Sequence, residues 1–257
     1  MTAPRSLSPL WDALSLDTVP RPVVAVVGGG GKSSLIYRLG AEAAALGRRA
    51  VLTGTTRFTR VETGPQPRIV IAAECSLPSA VASALATEQV VVVSSGFQPK
   101  GRLAGLTSWG VDALASMPGV DLVAIHADGS RQRSFKAPGE HEPLIPDAAT
   151  HVVAVVGLDA LGAPIDEAHV HRHETLQSLV GAATHCDASV IARTMVDARG
   201  GRKHVSARAF IVVVNKSAAD PAAAAALARA IREAGATRVV MTELHDATDP
   251  VLGVLTA

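Results

Sequence analysis

Four glycines followed by lysine and serine are the residues that most plainly suggest chemistry. In order, they are Gly28, Gly29, Gly30, Gly31, Lys32 and Ser33. Phosphate oxygens need several backbone N–H donors at short range, and glycine lets the main chain curl closely around an anion. A lysine ammonium can bind the same oxygens, a serine hydroxyl can bind Mg²⁺, and the following helical pattern adds the positive end of a helix dipole. We therefore predict a phosphate-binding loop.

The spacing within this run separates several kinds of nucleotide site. The common P-loop pattern, G-x-x-x-x-G-K-[ST], needs glycine at position 26, where the chain has Val26. A shorter form, G-x-x-G-K-[ST], fits from Gly28 and resembles the loop of the Mur ligases. A dinucleotide site would need an acidic residue after the second apolar run, but residues 53–56 read Thr-Gly-Thr-Thr. The spacing therefore favours polyphosphate binding over dinucleotide binding.

Asp128 is the predicted partner of this loop. It directly follows the apolar segment 122–127, which is the context of a Walker-B carboxylate that holds Mg²⁺ opposite a P-loop serine. We therefore expect Ser33 and Asp128 to bind magnesium. Thr55 and Thr56 follow the second apolar run, where they could reach a γ-phosphate or could simply end a strand.

Three histidines recur at a spacing of two, at positions 169, 171 and 173. On an extended segment their imidazoles would share one face, a geometry that could bind a transition metal. Alternatively, His171 and Arg172 could supply a general base and a phosphate-binding guanidinium for catalysis with Lys32 and Asp128. Both interpretations stay open from the residues alone.

Asn215 and Lys216 follow another apolar strand pattern, as the N-K-x-D motif does in GTP-binding proteins. The aspartate of that motif would stand at position 219, but the chain has Ala219 and then Asp220, which also suits a helix N-cap. We expect Asn215 and Lys216 to flank the base of a bound nucleotide, with guanine only suggested.

Short apolar runs alternate with helical patterns along the chain, which predicts buried strands and surface helices. The predicted strands are 23–27, 50–52, 68–71, 90–93, 122–127, 151–156, 210–214 and 239–242. The predicted helices are 33–46, 77–86, 111–116, 175–182, 188–196 and 221–234. The alternation predicts an α/β fold with a doubly wound, mostly parallel sheet, helices on both faces and a P-loop NTPase-like arrangement. Ligands of such sheets bind beyond the carboxyl ends of the strands, where the candidate residues fall.

Size and composition set further bounds. With 257 residues and 48% apolar content, the chain is expected to form a single nucleotide-binding domain over 1–257, with an N-terminal extension at 1–20 and a loop over the active edge at 130–147. The formal charge is +1, from 24 basic and 23 acidic residues, so nucleic acid is not an expected partner. Because no apolar stretch reaches the ~18 residues that span a bilayer, we expect no membrane partner and a cytoplasmic location.

Several segments together resemble the YqeC family, in the same order, from about residue 20 to residue 245. They are Val27–Ser34, Gly54–Thr56, Ala127–Ser130, Lys136–Pro138, Glu142–Pro146, Gly157–Gly162, His171–Arg172 and Asn215–Lys216. The resemblance implies a P-loop-type protein that binds ATP or GTP with Mg²⁺ and places Ser34 in the phosphate loop. It also implies an accessory role for a selenium-dependent molybdenum hydroxylase, with that enzyme or its cofactor-insertion machinery as partner.

Three functions are compatible with these residues. The first is an NTPase-like maturation factor of a molybdenum hydroxylase. The second is a non-hydrolysing binder or carrier of a molybdopterin-type dinucleotide, which is favoured by His126 where the family commonly has glutamate. The third is a small-molecule kinase or ligase that uses the same phosphate loop.

Overall fold

The computed structural model describes residues 9–59, 66–245 and 249–256, so the first eight residues of the expected N-terminal extension lie outside it. The strands of this described part are β1 Val23–Gly28, β2 Ala50–Gly54, β3 Arg68–Ile71, β4 Val90–Ser94, β5 Phe97–Gln98, β6 Arg102–Leu103, β7 Leu122–His126, β8 Phe135–Lys136, β9 His151–Gly157, β10 Val170–His171, β11 Ala209–Asn215, β12 Arg238–Thr242 and β13 Val251–Thr256. The α-helices are α1 Pro9–Ala13, α2 Lys32–Ala45, α3 Leu77–Leu85, α4 Ser108–Ser116, α5 His173–Val180, α6 Ala188–Val196 and α7 Pro221–Glu233.

Nine strands form one mostly parallel sheet in the order β13-β12-β11-β9-β1-β7-β2-β4-β3. Strand β13 runs antiparallel to β12, while the pairs β11–β12, β9–β11, β2–β7, β2–β4 and β3–β4 are parallel. The central strands are apolar and buried along their length, as β9 is at all seven positions. Side chains on both faces of such a strand must be shielded from water, which explains the continuous valine runs. The expected mostly parallel α/β fold is confirmed, and it is consistent with a P-loop NTPase-like arrangement.

The described residues pack into two compact units. The first contains the described residues up to Ala25 together with Ser33–His126 and Ile145–Thr150. The second contains Val26–Lys32, Ala127–Leu144 and the described residues from 151 onwards. The glycine loop and Asp128 therefore belong to the second unit. The expectation of a single domain stays a prediction.

In the first unit, the strands follow the order β7-β2-β4-β3. The buried side chains of α3 are Leu77, Val81, Ala84 and Leu85, at the three- and four-residue spacing of a helix face. Glu42 binds the N-terminal helix α1. Its carboxylate accepts hydrogen bonds from the N–H groups of Leu10 at 3.1 Å and Trp11 at 2.9 Å. Burial raises the pKa of the Glu42 carboxyl.

In the second unit, β9 and β11 pair over seven residues, and β12 and β13 extend the sheet. Helix α7 packs through Ala224, Leu227, Ala228 and Ile231, which again form one helical face. It begins at Pro221, and the Asp220 carboxylate accepts the N–H of Ala223 at 2.9 Å, as an N-cap does. The structure thus confirms that Asp220 caps a helix.

The eight predicted strands are all present, with ends that differ by one or two residues. The strands that the sequence did not predict are β13 and the two-residue strands β5, β6, β8 and β10. Pairs of two residues are too short to produce a periodic pattern, and β13 alternates half-buried and exposed positions at a sheet edge. Within the described residues, no helix has the length and apolar character needed to span a bilayer.

Replacing Asp220 with alanine removes the acceptor for the first turn of α7. We expect Asp220→Ala to lower the free energy of unfolding by about 1 kcal/mol, since that is the usual effect of losing an N-cap. Urea denaturation checks this, with Asp220→Asn as the control that retains a side-chain oxygen. Equal losses in both variants would show that the cap is not responsible.

Candidate anion-binding site

The glycine loop follows β1 and packs closely against other segments of the second unit, to which it belongs. A Cβ atom added to Gly28 would lie 2.2 Å from the carbonyl oxygen of Val155, and one added to Gly30 would lie 2.4 Å from the nitrogen of Gly157. Gly28, Gly30 and Gly31 also have positive φ angles, of 92°, 77° and 146°. Because side chains fit neither the space nor the backbone conformation, these glycines are required by the fold itself.

The other two loop glycines are confined in the same way. A Cβ on Gly29 would lie 2.4 Å from the carbonyl oxygen of Arg133, and one on Gly31 would lie 2.3 Å from Nδ2 of Asn215. The segment after Asp128 therefore covers the middle of the loop, and the end of β11 meets its last glycine. Only a chain without side chains can pass between these neighbours.

Two of the four backbone N–H groups of the loop donate hydrogen bonds within the described residues, and the other two do not. The N–H of Gly28 donates to Asp128 Oδ2 at 2.9 Å, and the N–H of Gly29 donates to the Val155 carbonyl at 2.9 Å. Among the described residues, no hydrogen-bond acceptor contacts the N–H groups of Gly30 or Gly31. These two donors immediately precede α2, so they are suited to an anion.

Asn215 holds the loop in this shape. Its Nδ2 donates to the Gly30 carbonyl at 2.8 Å, while its Oδ1 accepts hydrogen bonds from Thr242 Oγ1 and the Leu244 N–H, each at 3.1 Å. The side chain is buried, and its oxygen and nitrogen both bond within the second unit. The geometry explains why asparagine ends β11, whereas a contact between Asn215 and a base stays a prediction.

Lys216 adopts a left-handed conformation, with φ of 63°. Its ammonium donates to Ser134 Oγ at 3.0 Å and to Asp159 Oδ2 at 2.6 Å. Ser134 also donates to the same Asp159 oxygen, at 2.9 Å. The three side chains form a polar cluster beside the loop, because the Ser134 carbonyl accepts the N–H of Gly157, which packs against Gly30. Binding of a base by Lys216 likewise stays a prediction.

Asp128 is shared by two lysines. Lys32, the first residue of α2, places Nζ 3.2 Å from Asp128 Oδ1 and also donates to the Gly28 carbonyl. Lys136 places Nζ 3.0 Å from Asp128 Oδ2. The side chains of all three residues are at most 3% exposed. A carboxylate and two ammonium groups are thus enclosed beside the glycine loop.

The pairing continues outwards from Lys136. Its ammonium donates to the Gly129 carbonyl at 2.6 Å and to Glu142 Oε2 at 2.7 Å. Arg172 binds the same carboxylate through both of its Nη groups, with Nη2 3.2 Å from Oε1. We call the alternating series Lys32, Asp128, Lys136, Glu142 and Arg172 the charge chain. It contains three cations and two carboxylates, which leaves an excess of one positive charge.

Short strands and backbone contacts hold the charge chain in place. Strand β8 pairs in parallel with β10, which sets Lys136 opposite His171 and brings Arg172 beside Glu142. The ammonium of Lys203 donates to the carbonyls of Gly139 and Glu140, each at 2.7 Å, and so fixes the segment that leads to Glu142. The second-unit part of the expected active-edge loop is therefore packed and hydrogen-bonded.

Burial and neighbouring charges act against each other in the charge chain. Burial alone would raise the pKa of the Asp128 carboxyl, but Lys32, Lys136 and the Gly28 N–H lower it below its usual value. Burial lowers the pKa of the Lys32 ammonium, and Asp128 only partly offsets this. Burial would raise the pKa of Glu142, yet Arg172 and Lys136 lower it to about 2. The carboxylates therefore stay ionised because the cations surround them.

Other predicted residues lie in the first unit. Ser33 and Ser34 occupy the first turn of α2. Thr55 is buried and its N–H donates to the His126 carbonyl at 3.1 Å, and Thr56 Oγ1 lies 3.5 Å from the same oxygen. These contacts connect the segment after β2 to the end of β7. The expected roles of the two serines and two threonines with phosphate or magnesium stay predictions.

The histidines at 169, 171 and 173 have different surroundings. His169 Nδ1 lies 2.7 Å from Asp166 Oδ1, His171 ends β10 and His173 begins α5. Burial, together with the positive charges of Lys136, Arg172 and Arg131, lowers the pKa of the His171 imidazole to about 4. Within the part of the chain that the structure describes, no group of three histidine, cysteine or acidic residues could hold a metal ion. The extended three-histidine arrangement is therefore not formed.

Two residues of the charge chain were not among the predicted site residues. Lys136 and Glu142 lie in the segment 130–147, which the sequence marks as a loop over the active edge and, at 136–138 and 142–146, as part of the resemblance to the YqeC family. The available signal was that this loop follows Asp128 and carries charged residues between prolines. Residue type and spacing could not show that both side chains turn inwards to Asp128 and Arg172.

Comparison with known proteins agrees with the arrangement of these motifs. The family model described as "YqeC protein" matches residues 24–174, which include the glycine loop and the whole charge chain. The chain belongs to the YqeC family. One YqeC relative, from Escherichia coli (strain K12), is described as "Uncharacterized protein YqeC" and is 36% identical over 170 residues. That alignment covers 65% of this chain and 64% of the relative.

Glu142 generates a pH prediction for this YqeC-family chain. Its pKa falls from an ordinary 4.5 to about 2 in the folded protein, so its stabilising contribution is present above about pH 4.5 and is lost as the pH falls towards 2. We expect Glu142→Gln to reduce the acid dependence of the unfolding free energy over that interval, measured by urea denaturation. The control is Glu233→Gln, which removes an exposed carboxylate of α7. Identical acid dependence in Glu142→Gln and the unsubstituted chain would contradict the ion-paired role of Glu142.

Proposed function

We propose that this chain binds the polyphosphate group of a nucleotide, ATP or GTP, at the glycine loop. The observation that carries the proposal is the meeting of two buried ammonium groups, Lys32 and Lys136, at one carboxylate, Asp128. The charge chain as a whole has an excess of one positive charge, and its first member, Lys32, directly follows Gly30 and Gly31, whose N–H groups have no acceptor among the described residues. Buried positive charge next to free backbone donors is stabilised by an anion such as phosphate.

In this proposal, Lys32 changes its partner when a nucleotide binds, while Lys136 stays beside Asp128. Lys32 turns from Asp128 to the phosphate oxygens, and Lys136 neutralises further charge from the opposite side of Asp128. Phosphate binding needs mainly positioning and charge neutralisation, which these side chains supply. Arg172 and His171, which continue the chain of contacts, are proposed to act on the reacting phosphate or on a second substrate.

Asp128 fits magnesium only after such an exchange. Its Oδ2 already accepts the Gly28 N–H and contacts Lys136, whereas its Oδ1 is buried and, among the described residues, pairs with Lys32 Nζ at 3.2 Å. We propose that Oδ1 would hold Mg²⁺ that arrives with the nucleotide. When bound, the metal would neutralise phosphate charge.

At the level of cellular role, we propose that nucleotide binding serves the maturation of a selenium-dependent molybdenum hydroxylase. This rests on the resemblance of the motifs to the YqeC family. A second candidate is a non-hydrolysing carrier of a molybdopterin-type dinucleotide. The specific observation in its favour is His126, which stands where the family commonly has a carboxylate and which ends β7. A kinase or ligase role shares the same phosphate loop.

The lysine of the loop gives the direct test. We expect Lys32→Ala to weaken ATP or GTP binding by about 10- to 100-fold, because a charge-assisted hydrogen bond contributes roughly 1.5–3 kcal/mol. Calorimetric titration in the presence of Mg²⁺ measures the change. Arg229→Ala is the matched control, because it removes one exposed positive charge from α7 in the same unit. Equal affinity in Lys32→Ala and Arg229→Ala would reject the loop as the phosphate site.

A separate measurement distinguishes the proposed roles. Mass spectrometry of the purified protein under native conditions identifies a bound ligand by mass, and a nucleoside triphosphate and a pterin dinucleotide differ clearly. For the NTPase-like role we expect phosphate release with nucleotide alone. Release only after an acceptor is added would instead support a kinase or ligase.

A further inference from the structure

A cleft in the second unit adjoins the outer end of the charge chain. Its volume is about 470 Å³, which lies within the range of ~300–1,000 Å³ common for small-molecule sites. The turn that carries Arg131 and Arg133 contributes to its lining, as do residues 170–175, from β10 into the first turn of α5. The cleft is therefore built from the segment after Asp128 and from the segment that supplies Arg172.

The side chains of the two arginines in this turn make few polar contacts within the described residues. Arg131 has no ion pair or hydrogen bond within the described residues, and Arg133 uses only Nε, which donates to the Glu167 carbonyl at 3.1 Å. Arg131 and the adjacent Gln132 are held at positive φ angles, of 48° and 64°. Residues other than glycine keep such conformations only where the surrounding structure holds them, so the surrounding fold fixes this turn.

The segment 170–175 adds donors of its own. Helix α5 begins after Arg172, which has a φ of 59° and makes no side-chain cap, so the first N–H groups of the helix are left to other acceptors. The lowered pKa of His171 reflects burial first and then the charges of Lys136, Arg172 and Arg131, against a smaller opposing effect of Glu142. Its imidazole is thus neutral at pH 7. Exposed Glu167 and Glu174 also line the cleft.

We propose that this cleft is a second phosphate site, which takes the phosphate group of a small molecule against Arg131, Arg133 and the first turn of α5. Guanidinium groups match phosphate oxygens in pairs, and an uncapped helix start adds backbone donors. Glu167 and Glu174 restrict the ligand, since a phosphate carried by a molecule with hydroxyl or amino groups satisfies the carboxylates as well as the arginines.

The cleft and the glycine loop are connected through Glu142, and this part of the proposal rests on the proposed function. Glu142 Oε2 accepts from both Lys136 and Arg172. A phosphate that draws Arg172 away leaves Glu142 with Lys136 alone, which makes Lys136 less available to a nucleotide. Filling the cleft therefore weakens nucleotide binding, and by linkage the nucleotide weakens cleft binding equally.

Equilibrium dialysis of the full chain with inorganic phosphate tests the cleft itself. We expect two phosphate equivalents in the unsubstituted chain and the loss of one in Arg131→Asn/Arg133→Gln, where asparagine tolerates the left-handed backbone. We expect Lys32→Ala to lose the other equivalent and Arg229→Ala to lose neither. An unchanged stoichiometry in the double arginine variant would overturn the proposal. Arg131 is exposed and Arg133 is half-buried, so their replacement should leave the fold intact, as circular dichroism would verify.

The design separates failure of the cleft from failure of the nucleotide proposal. If ATP and GTP do not bind but the double arginine variant still loses one phosphate, the cleft stands and the proposed function does not. For the coupling, we expect added phosphate to compete with ATP at the glycine loop in every variant, and to weaken ATP binding severalfold more in the unsubstituted chain than in Arg131→Asn/Arg133→Gln or Glu142→Gln. Coupling that persists in Glu142→Gln would show that Glu142 does not transmit it.

Discussion

The second unit depends on one buried carboxylate that two lysines share. A charge removed from water is tolerated only when opposite charges and hydrogen bonds surround it, and a buried ion left without its partner costs several kcal/mol. Asp128 meets this condition through Lys32, Lys136 and the N–H of Gly28. Each of these contacts fixes a different segment: the start of α2, the loop after Asp128 and the end of β1. The carboxylate therefore aligns the glycine loop with the segment that covers it.

The four glycines serve the fold as well as any ligand. Each of them faces an atom that a Cβ would approach within 2.4 Å, so the close packing alone excludes side chains. The N–H groups of Gly28 and Gly29 donate to Asp128 and to the Val155 carbonyl, whereas those of Gly30 and Gly31 have no acceptor among the described residues. The glycine loop is thus closely packed on several sides: Val155, Gly157 and Asn215 set its shape, and the two lysines set the charge beside it.

The sequence predicted the sheet well because its strands are continuous apolar runs, and a buried parallel strand needs little else. The positions of Gly28, Lys32 and Asp128 in one unit also followed from strand ends meeting at one edge. Lys136 and Glu142 could not be placed in the same way, since their inward direction depends on the two-residue pairing of β8 with β10. The residue type of Asn215 suggested contact with a base, but it could not reveal the hydrogen bond that its amide donates to the Gly30 carbonyl. Long-range contacts of single side chains leave no periodic signal.

Nucleotide binding at the glycine loop can be observed by titrating isotope-labelled protein with ATP and GTP and following the backbone amide resonances of the loop. The account predicts that the Gly30 and Gly31 amides, which have no acceptor within the described residues, shift most, together with Lys32. Unchanged Gly30 and Gly31 resonances at saturating nucleotide, or shifts confined to other segments, would contradict it.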